Sequence, residues 1–419
     1  MTDVLLPRAA SLPATRTQAA FILCAVTLLS SIFLQKIALP GTGGQHPLNL
    51  VIFPATTLAA FLLGVIEVNT PALLFYSLVV LAGGISAAMS PSGQMSLLSL
   101  GYFLAVQFPL IFRLTALEFS YQRLLKFLSA IGCIFALLGV AQFLAQFAFG
   151  SHTAFFLDTK APESLTVKGF NAMIPLYWSS PVFKSNGIFF LEPSFFCQFV
   201  AIAVVAELLI GARTLRLMVL TAGLISSYSG TGLTMLALFV PFHFLRHGHF
   251  RLFLIVAIVS MVLIFFGDEI SLEAFTRRFG EFSDVQSSGW ARFLSMFSVL
   301  QDVVFANDLT FLTGRGPGTV QEQFQYLSYN AFDTTWGKIV YEYGLVGAVM
   351  YASFFYVAFC KGAKGLRFAM GYTYLLLGGY LLNPAILMQV AALVVWCGQD
   401  ARAANRLQSD SGNGGNRAD

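Results

Sequence analysis

Residues 268–336 read DEISLEAFTRRFGEFSDVQSSGWARFLSMFSVLQDVVFANDLTFLTGRGPGTVQEQFQYLSYNAFDTTW, the only long polar stretch in a chain that is otherwise almost continuously apolar. With a mean hydropathy of +0.75 and 11% charged residues, the chain is solvated by lipid along most of its length, so a polar segment of this size has to lie outside the bilayer. What flanks it must then cross. The segment holds four arginines, Arg277, Arg278, Arg292 and Arg315, among several carboxylates, and it is the first place to look for chemistry.

Outward from this segment the composition is that of a membrane protein: 57% of residues are hydrophobic and 43 are Phe, which excludes a soluble globular domain. A spanning helix takes about 20 residues. Apolar runs lie at 18–39, 48–66, 71–89, 95–112, 127–149, 189–211, 214–230, 231–245, 251–267, 337–360, 368–382 and 385–399. They predict an all-α polytopic membrane protein with about twelve transmembrane helices in one bundle. Residues 1–17 are expected to be a cytoplasmic N-terminus, 18–399 the bundle with external segments 150–188 and 268–336, and 400–419 a disordered cytoplasmic tail. The first run continues to Leu39 without a small-residue cleavage site, so it reads as an uncleaved span rather than a signal peptide.

The formal net charge of +4 reads as topology, not as a nucleic-acid footprint. Arg113, Arg123 and Lys126, then Arg213 and Arg216, then Arg246 and Arg251, then Lys361, Lys364 and Arg367 form tight clusters at span ends. Lys36, Lys160, Lys168, Lys184, Lys338 and the four arginines scatter through the other side. The clusters therefore mark the cytoplasmic face, with both termini inside and the two polar segments outside. The five cysteines lie in or at the ends of apolar runs without paired spacing, so neither a disulfide framework nor a zinc site is implied. Within the polar segment, Trp290, Phe293, Leu294, Phe297 and Leu300 recur at near-helical spacing, which predicts an amphipathic helix over 289–305 that lies on the membrane or caps the bundle.

Metal chemistry finds no support in the residues: there is no HExxH or DxD, and the five histidines show no ligand spacing. GRGPG at 314–318 lacks the lysine and hydroxyl of a nucleotide loop, and no GxSxG appears. What remains outside is arginine, carboxylate and glycine. Arg277, Arg278, Arg292 and Arg315 are forks suited to a diphosphate, or else solvated partners of Glu273, Glu281, Asp284 and Asp302. Glu192, just before Pro193 at a span start, is either a helix cap or a carboxylate facing a cavity. Gly316 and Gly318 permit a tight turn that brings backbone amides to an anion, and a plain loop explains them equally. Asp333, before the membrane re-entry, is placed to accept a proton from a hydroxyl, with Lys338 beside it as a substrate-binding cation. Ser229 and Thr231, in the Ser226–Gly232 break, either pack helices closely or line a polar cavity. Glu342 reads as structural.

Taken together, GIFFLEPSFFCQ at 187–198, the Ser-Gly-Thr-Gly break, the late external loop with separated arginines, and GRGPG leading to YEYGLVG at 341–347 resemble the Wzy-type exopolysaccharide and O-antigen polymerases, over roughly residues 185–360. The related O-antigen ligases share the plan. The resemblance implies a C-type membrane glycosyltransferase fold and a metal-independent, inverting transfer, without cofactor. Undecaprenyl-diphosphate-linked repeat units would be polymerised into exopolysaccharide at the periplasmic face. It implies as partners the lipid-linked oligosaccharide, the growing polysaccharide, a chain-length regulator and membrane lipids. It further implies that Arg278 and Arg292 hold the leaving group, with Arg315 in the glycine turn and Asp333 near the acceptor, and that Asp333, Glu192 and Arg292 form the catalytic set. Two departures stand out: Ser229-Gly230 occupies the place of a Ser-Arg pair, and NAFDTTW replaces a histidine-bearing segment. A ligase acting on lipid A core or protein, and a lipid-linked sugar flippase, are the alternatives; against the flippase, nearly all charges sit at span ends, Glu207 being the most nearly buried.

Overall fold

The computed structural model describes residues 13–90, 95–116, 119–177, 179–246, 287, 290–291 and 294–397. Its helices are α1 (Pro13–Phe33), α2 (Asn49–Leu62), α3 (Thr70–Ala88), α4 (Leu97–Gln107), α5 (Tyr121–Phe149), α6 (Pro193–Ile210), α7 (Thr214–Ser227), α8 (Gly230–Arg246), α9 (Thr335–Cys360), α10 (Arg367–Leu376) and α11 (Pro384–Val390), with shorter turns between them. Five helices among the described residues are long and apolar enough to cross a bilayer: Arg16–Phe33 within α1, and α3, α5, α6 and α9. They make the chain a multi-pass membrane protein. The twelve-span bundle expected from hydropathy is corrected by this finding, and so is the C-type glycosyltransferase plan. The Wzy-type polymerase activity that rested on that plan, and the ligase that shares it, are corrected with it. The run at 251–267, the residues before Pro13 and the tail at 400–419 lie outside the described residues.

Local chemistry explains why apolar runs of spanning length fold into shorter pieces. The run at 48–66 stops as helix at Leu62, because Gly64 turns the chain at φ +69° and Ile66–Val68 becomes a strand. That strand pairs antiparallel with Phe112–Leu114, in register Ile66 with Leu114, so the fold is not purely helical. The run at 95–112 ends likewise: Pro109 removes a helical donor and the chain tightens into a 3₁₀ turn over Phe108–Ile111. α7 closes at Tyr228, in the left-handed region at φ 44°, and α8 carries Pro241 inside it. A helix of the 14 residues of α7 is about 21 Å long, against about 30 Å of hydrocarbon.

Packing is densest around α6, buried at every position from Pro193 to Glu207 and flanked by α5, α7 and α8. A helix apolar on all sides belongs inside a bundle. The helices join two sets of loops. At one end, the Arg113–Glu67 ion pair (2.7 Å), the Arg123 hydrogen bond to Gln18, the Tyr121 hydroxyl on the Leu393 carbonyl and the Arg213–Arg216 corner gather; this is the basic end. The other end gathers residues 34–48, 150–192, 228–231, 312–335 and 378–384.

Within 268–336, the amphipathic face differs from the one predicted. Helix forms over Ser295–Val299 and continues as a π-turn over Leu300–Val304, and Met296, Val299, Leu300 and Val304 pack against Val320 and Tyr341. Phe297 instead stays 58% exposed, stacked obliquely on Trp336 at 4.8 Å. The start of α9 supplies an apolar partner that spacing alone does not reveal.

The GRGPG turn and the EYGLVG run, read separately in sequence, form one element. Gly344 leaves helical geometry (φ 64°, ψ −167°) and kinks α9, which frees the carbonyls of Tyr341 and Glu342. The Arg315 amide donates to the Tyr341 carbonyl (2.9 Å), and the Gly316 amide to the Glu342 carbonyl (3.0 Å). The Ser86 hydroxyl adds a second donor to the latter. A Cβ on Gly344 would lie 2.4 Å from the Gly314 nitrogen, so only glycine admits this approach.

Candidate functional site

A cleft of about 410 Å³ opens at the end of the bundle away from the basic clusters. Its polar lining comes from the end of α1 (Gln35), the loop before α2 (Gln45, His46), the start of α4 (Ser96, Ser99, Tyr102) and the start of α11 (Asn383). Leu98, Phe170, Leu191 and Leu382 supply apolar surface between them. Among the described residues, the lining holds no Asp, Glu, Lys or Arg. Two of these side chains sit there because a helix begins at the cleft: Ser96 caps α4 by accepting from the Ser99 amide, and Asn383 caps α11 by accepting from the Ile386 amide.

Several elements singled out in sequence ring this cleft. The 314–318 turn packs behind it, since a Cβ on Gly318 would lie 2.9 Å from Ser96 and 3.1 Å from Ser99. Because the Arg315 and Gly316 amides are taken by α9 carbonyls, those two are engaged within the protein. The Arg315 carbonyl accepts from the Ser90 hydroxyl (2.8 Å), and its guanidinium lies by the Tyr341 hydroxyl. On the far wall, Glu192 occupies the N-cap position of α6 in extended conformation without a capping side-chain bond. It accepts instead from the Asn171 amide (3.1 Å) and the Ser194 hydroxyl (3.0 Å), which ties the segment bearing Phe170 to the helix start.

Ser229 and Thr231 resolve toward close packing. Their hydroxyls bond each other (3.1 Å), and Thr231 donates to the Ser194 carbonyl (3.2 Å). A Cβ on Gly232 would lie 2.4 Å from the Cys197 carbonyl oxygen, so α8 crosses α6 almost backbone to backbone. Arg277, Arg278 and Arg292 lie outside the described residues.

Asp333 and Lys338 come together at the rim. Lys338, 6% exposed, donates to Asp333 (3.2 Å) and lies 3.7 Å from Glu342, whose side chain is fully buried. Asp333 packs on Gly379, a cleft-lining residue, whose added Cβ would meet the carboxylate oxygen at 2.7 Å.

Outside the cleft, a buried polar staple holds segment 150–188 onto the bundle. Lys36 donates to Asp158 (2.6 Å) and to the Ile188 carbonyl (2.7 Å). Asn186 bridges Asp158 (2.9 Å) to Gln142 of α5 (2.9 Å). Burial of the Lys36 ammonium lowers its pKa, and the Asp158 charge opposes that shift in part.

Gln35, Gln45, His46, Ser96, Ser99, Tyr102 and Asn383 were missed in sequence. Each is a single polar residue at the edge of an apolar run, and no spacing distinguishes it from the many others. Among the described residues, no three His, Cys, Asp or Glu side chains gather around a point where a metal ion would sit. Comparison with family models, with curated proteins and with solved structures gives no match for this chain.

Proposed function

We propose that this membrane protein binds, in its cleft, the uncharged saccharide head of a lipid-linked glycan. The observation that carries the reading is the cleft's chemistry: its described lining presents amide, hydroxyl and imidazole groups, and among the described residues no carboxylate or cation, set against aromatic and aliphatic surface. Neutral polar groups that both donate and accept suit a hydroxyl-rich ligand, while Tyr102 and Phe170 offer faces to its C–H surface. Leu98 lines the cleft and is 74% exposed, so the cavity is continuous with surface suited to a lipid tail. The resemblance of 185–360 to proteins that handle lipid-linked oligosaccharides supports the same ligand class. The tight basic clusters at the opposite end support a cleft that faces away from the cytoplasm, with both termini inside a bacterial inner membrane.

The test is thermal unfolding of the purified full chain in detergent with three probes: a polyprenyl-phosphate-linked neutral disaccharide, polyprenyl phosphate alone, and the free disaccharide. The linked disaccharide should stabilise most, by roughly 2.7 kcal/mol at a hundredfold excess over its Kd. Asn383→Ala and Gln35→Ala should weaken that effect about tenfold in affinity, as expected when a polar contact is lost. Equal stabilisation by polyprenyl phosphate alone would show that the head group is not what is recognised.

A further inference from the structure

The cluster at the start of α9 has an unbalanced charge. Asp333, Lys338 and Glu342 amount to two carboxyl groups and one ammonium, packed within one turn or two of a membrane-spanning helix. Lys338 is 6% exposed and Glu342 fully buried. Both Glu342 carboxyl oxygens are without a hydrogen bond, although the Gly318 and Val320 amides point toward them. Lys338 makes its hydrogen bond to Asp333 at 3.2 Å and stands at 3.7 Å from Glu342, beyond hydrogen-bond reach. Burying a net negative charge on a carboxylate whose nearby donors all stand outside hydrogen-bond geometry is costly.

We propose that Asp333, Lys338 and Glu342 form an electroneutral proton-binding cluster, which holds one exchangeable proton between its two carboxyl groups and communicates with solvent through Asp333. In the arrangement described, Asp333 and Lys338 are the ion pair and Glu342 carries the proton. Release breaks the Glu342 O–H bond, and the proton passes to bulk water by way of the half-buried Asp333; the ammonium keeps its three protons throughout. The other ionisable groups near Glu342 are Tyr343 on the same helix, and Arg315 and Glu322, which approach from the packed turn through Tyr341. A ligand that draws Asp333 away leaves Lys338 to pair with Glu342, and the proton departs. This inference does not depend on what the cleft binds.

Infrared difference spectroscopy of the detergent-solubilised full chain at neutral pH, in H₂O and D₂O, tests it through the carboxylic-acid C=O band. The wild-type chain should show one deuteration-sensitive acid. Glu342→Gln should remove it, and so should Asp333→Asn, because Lys338 then pairs with the single remaining carboxylate. In Lys338→Met the band should instead persist even when Asp333→Asn is added, since no ammonium remains to pair with Glu342; this double variant also serves if Glu342→Gln fails to fold. No acid band in the wild-type chain would overturn the proposal. A band that survives Glu342→Gln, or one lost in that variant yet kept in Asp333→Asn, would overturn the shared balance.

Discussion

Among the described residues, two glutamates lie fully buried in spanning helices, at opposite ends of the bundle, and their surroundings differ in kind. Glu207 of α6 sits at the basic end with every oxygen engaged: it accepts from the Ser129 hydroxyl and from the Arg213 amide (3.0 Å), and Arg216 stands 3.6 Å away. Its carboxylate ties the α6–α7 turn to α5. Glu342 of α9 has an ammonium at 3.7 Å and no hydrogen bond. A buried charge that is satisfied on all sides is a fastener; one left short of donors is held by the fold for some other use.

The first way to break this comparison is Glu207→Ala. It leaves the Ser129 hydroxyl and the Arg213 amide without their acceptor and Arg216 without its counter-charge, and should lower stability by about 3 kcal/mol, read as unfolding of the detergent-solubilised chain. Next in size is Asn186→Ala, which removes the bridge between Gln142 and Asp158 and should cost about 2 kcal/mol; limited proteolysis should then cut first within 150–188. Glu342→Gln should change stability by less than about 1 kcal/mol, because it replaces a group that has no hydrogen bond to lose. A loss as large as that of Glu207→Ala would erase the distinction between the two ends.

The smallest expected effect concerns Lys36, a buried cation at the cleft end that is paired. Its folded pKa lies below the usual 10.5 because burial outweighs the attraction of Asp158. Between that lowered value and 10.5 the unfolded chain binds more protons than the folded one, so stability rises with pH across the window. The contribution is complete above 10.5 and is lost as the pH falls through the lowered value. Thermal unfolding followed from neutral pH upward should show this slope, and Lys36→Met should flatten it.

The membrane class was legible from composition, because lipid solvation needs only long apolar runs. The number of spans was not, since hydropathy cannot see Gly64 turning a run into a strand or Pro109 tightening another into a 3₁₀ turn. Asp333, Lys338 and the glycine turn were singled out by motif, and the structure sets them around or behind one cleft, the candidate site. What could not be read was pairing across the chain. The GRGPG amides looked free for an anion, yet the Gly344 kink offers them carbonyls some 25 residues later in sequence. Glu342 looked structural, whereas Glu207, noted only as buried, is the glutamate with the structural partners. The cleft's own lining was invisible, for a lone Gln or Ser beside an apolar run carries no periodic signal.

The shortness of α7 has a consequence for the surrounding membrane. Leu215, Met218 and Ile225 are 75%, 65% and 63% exposed, so this helix turns an apolar face outward over a length of only 14 residues. Acyl chains in contact with it face hydrophobic mismatch and must shorten locally, at a cost of fractions of a kcal/mol per ångström. If that face meets lipid, bilayers of short-chain lipid should hold the protein more readily than thick, sterol-rich ones.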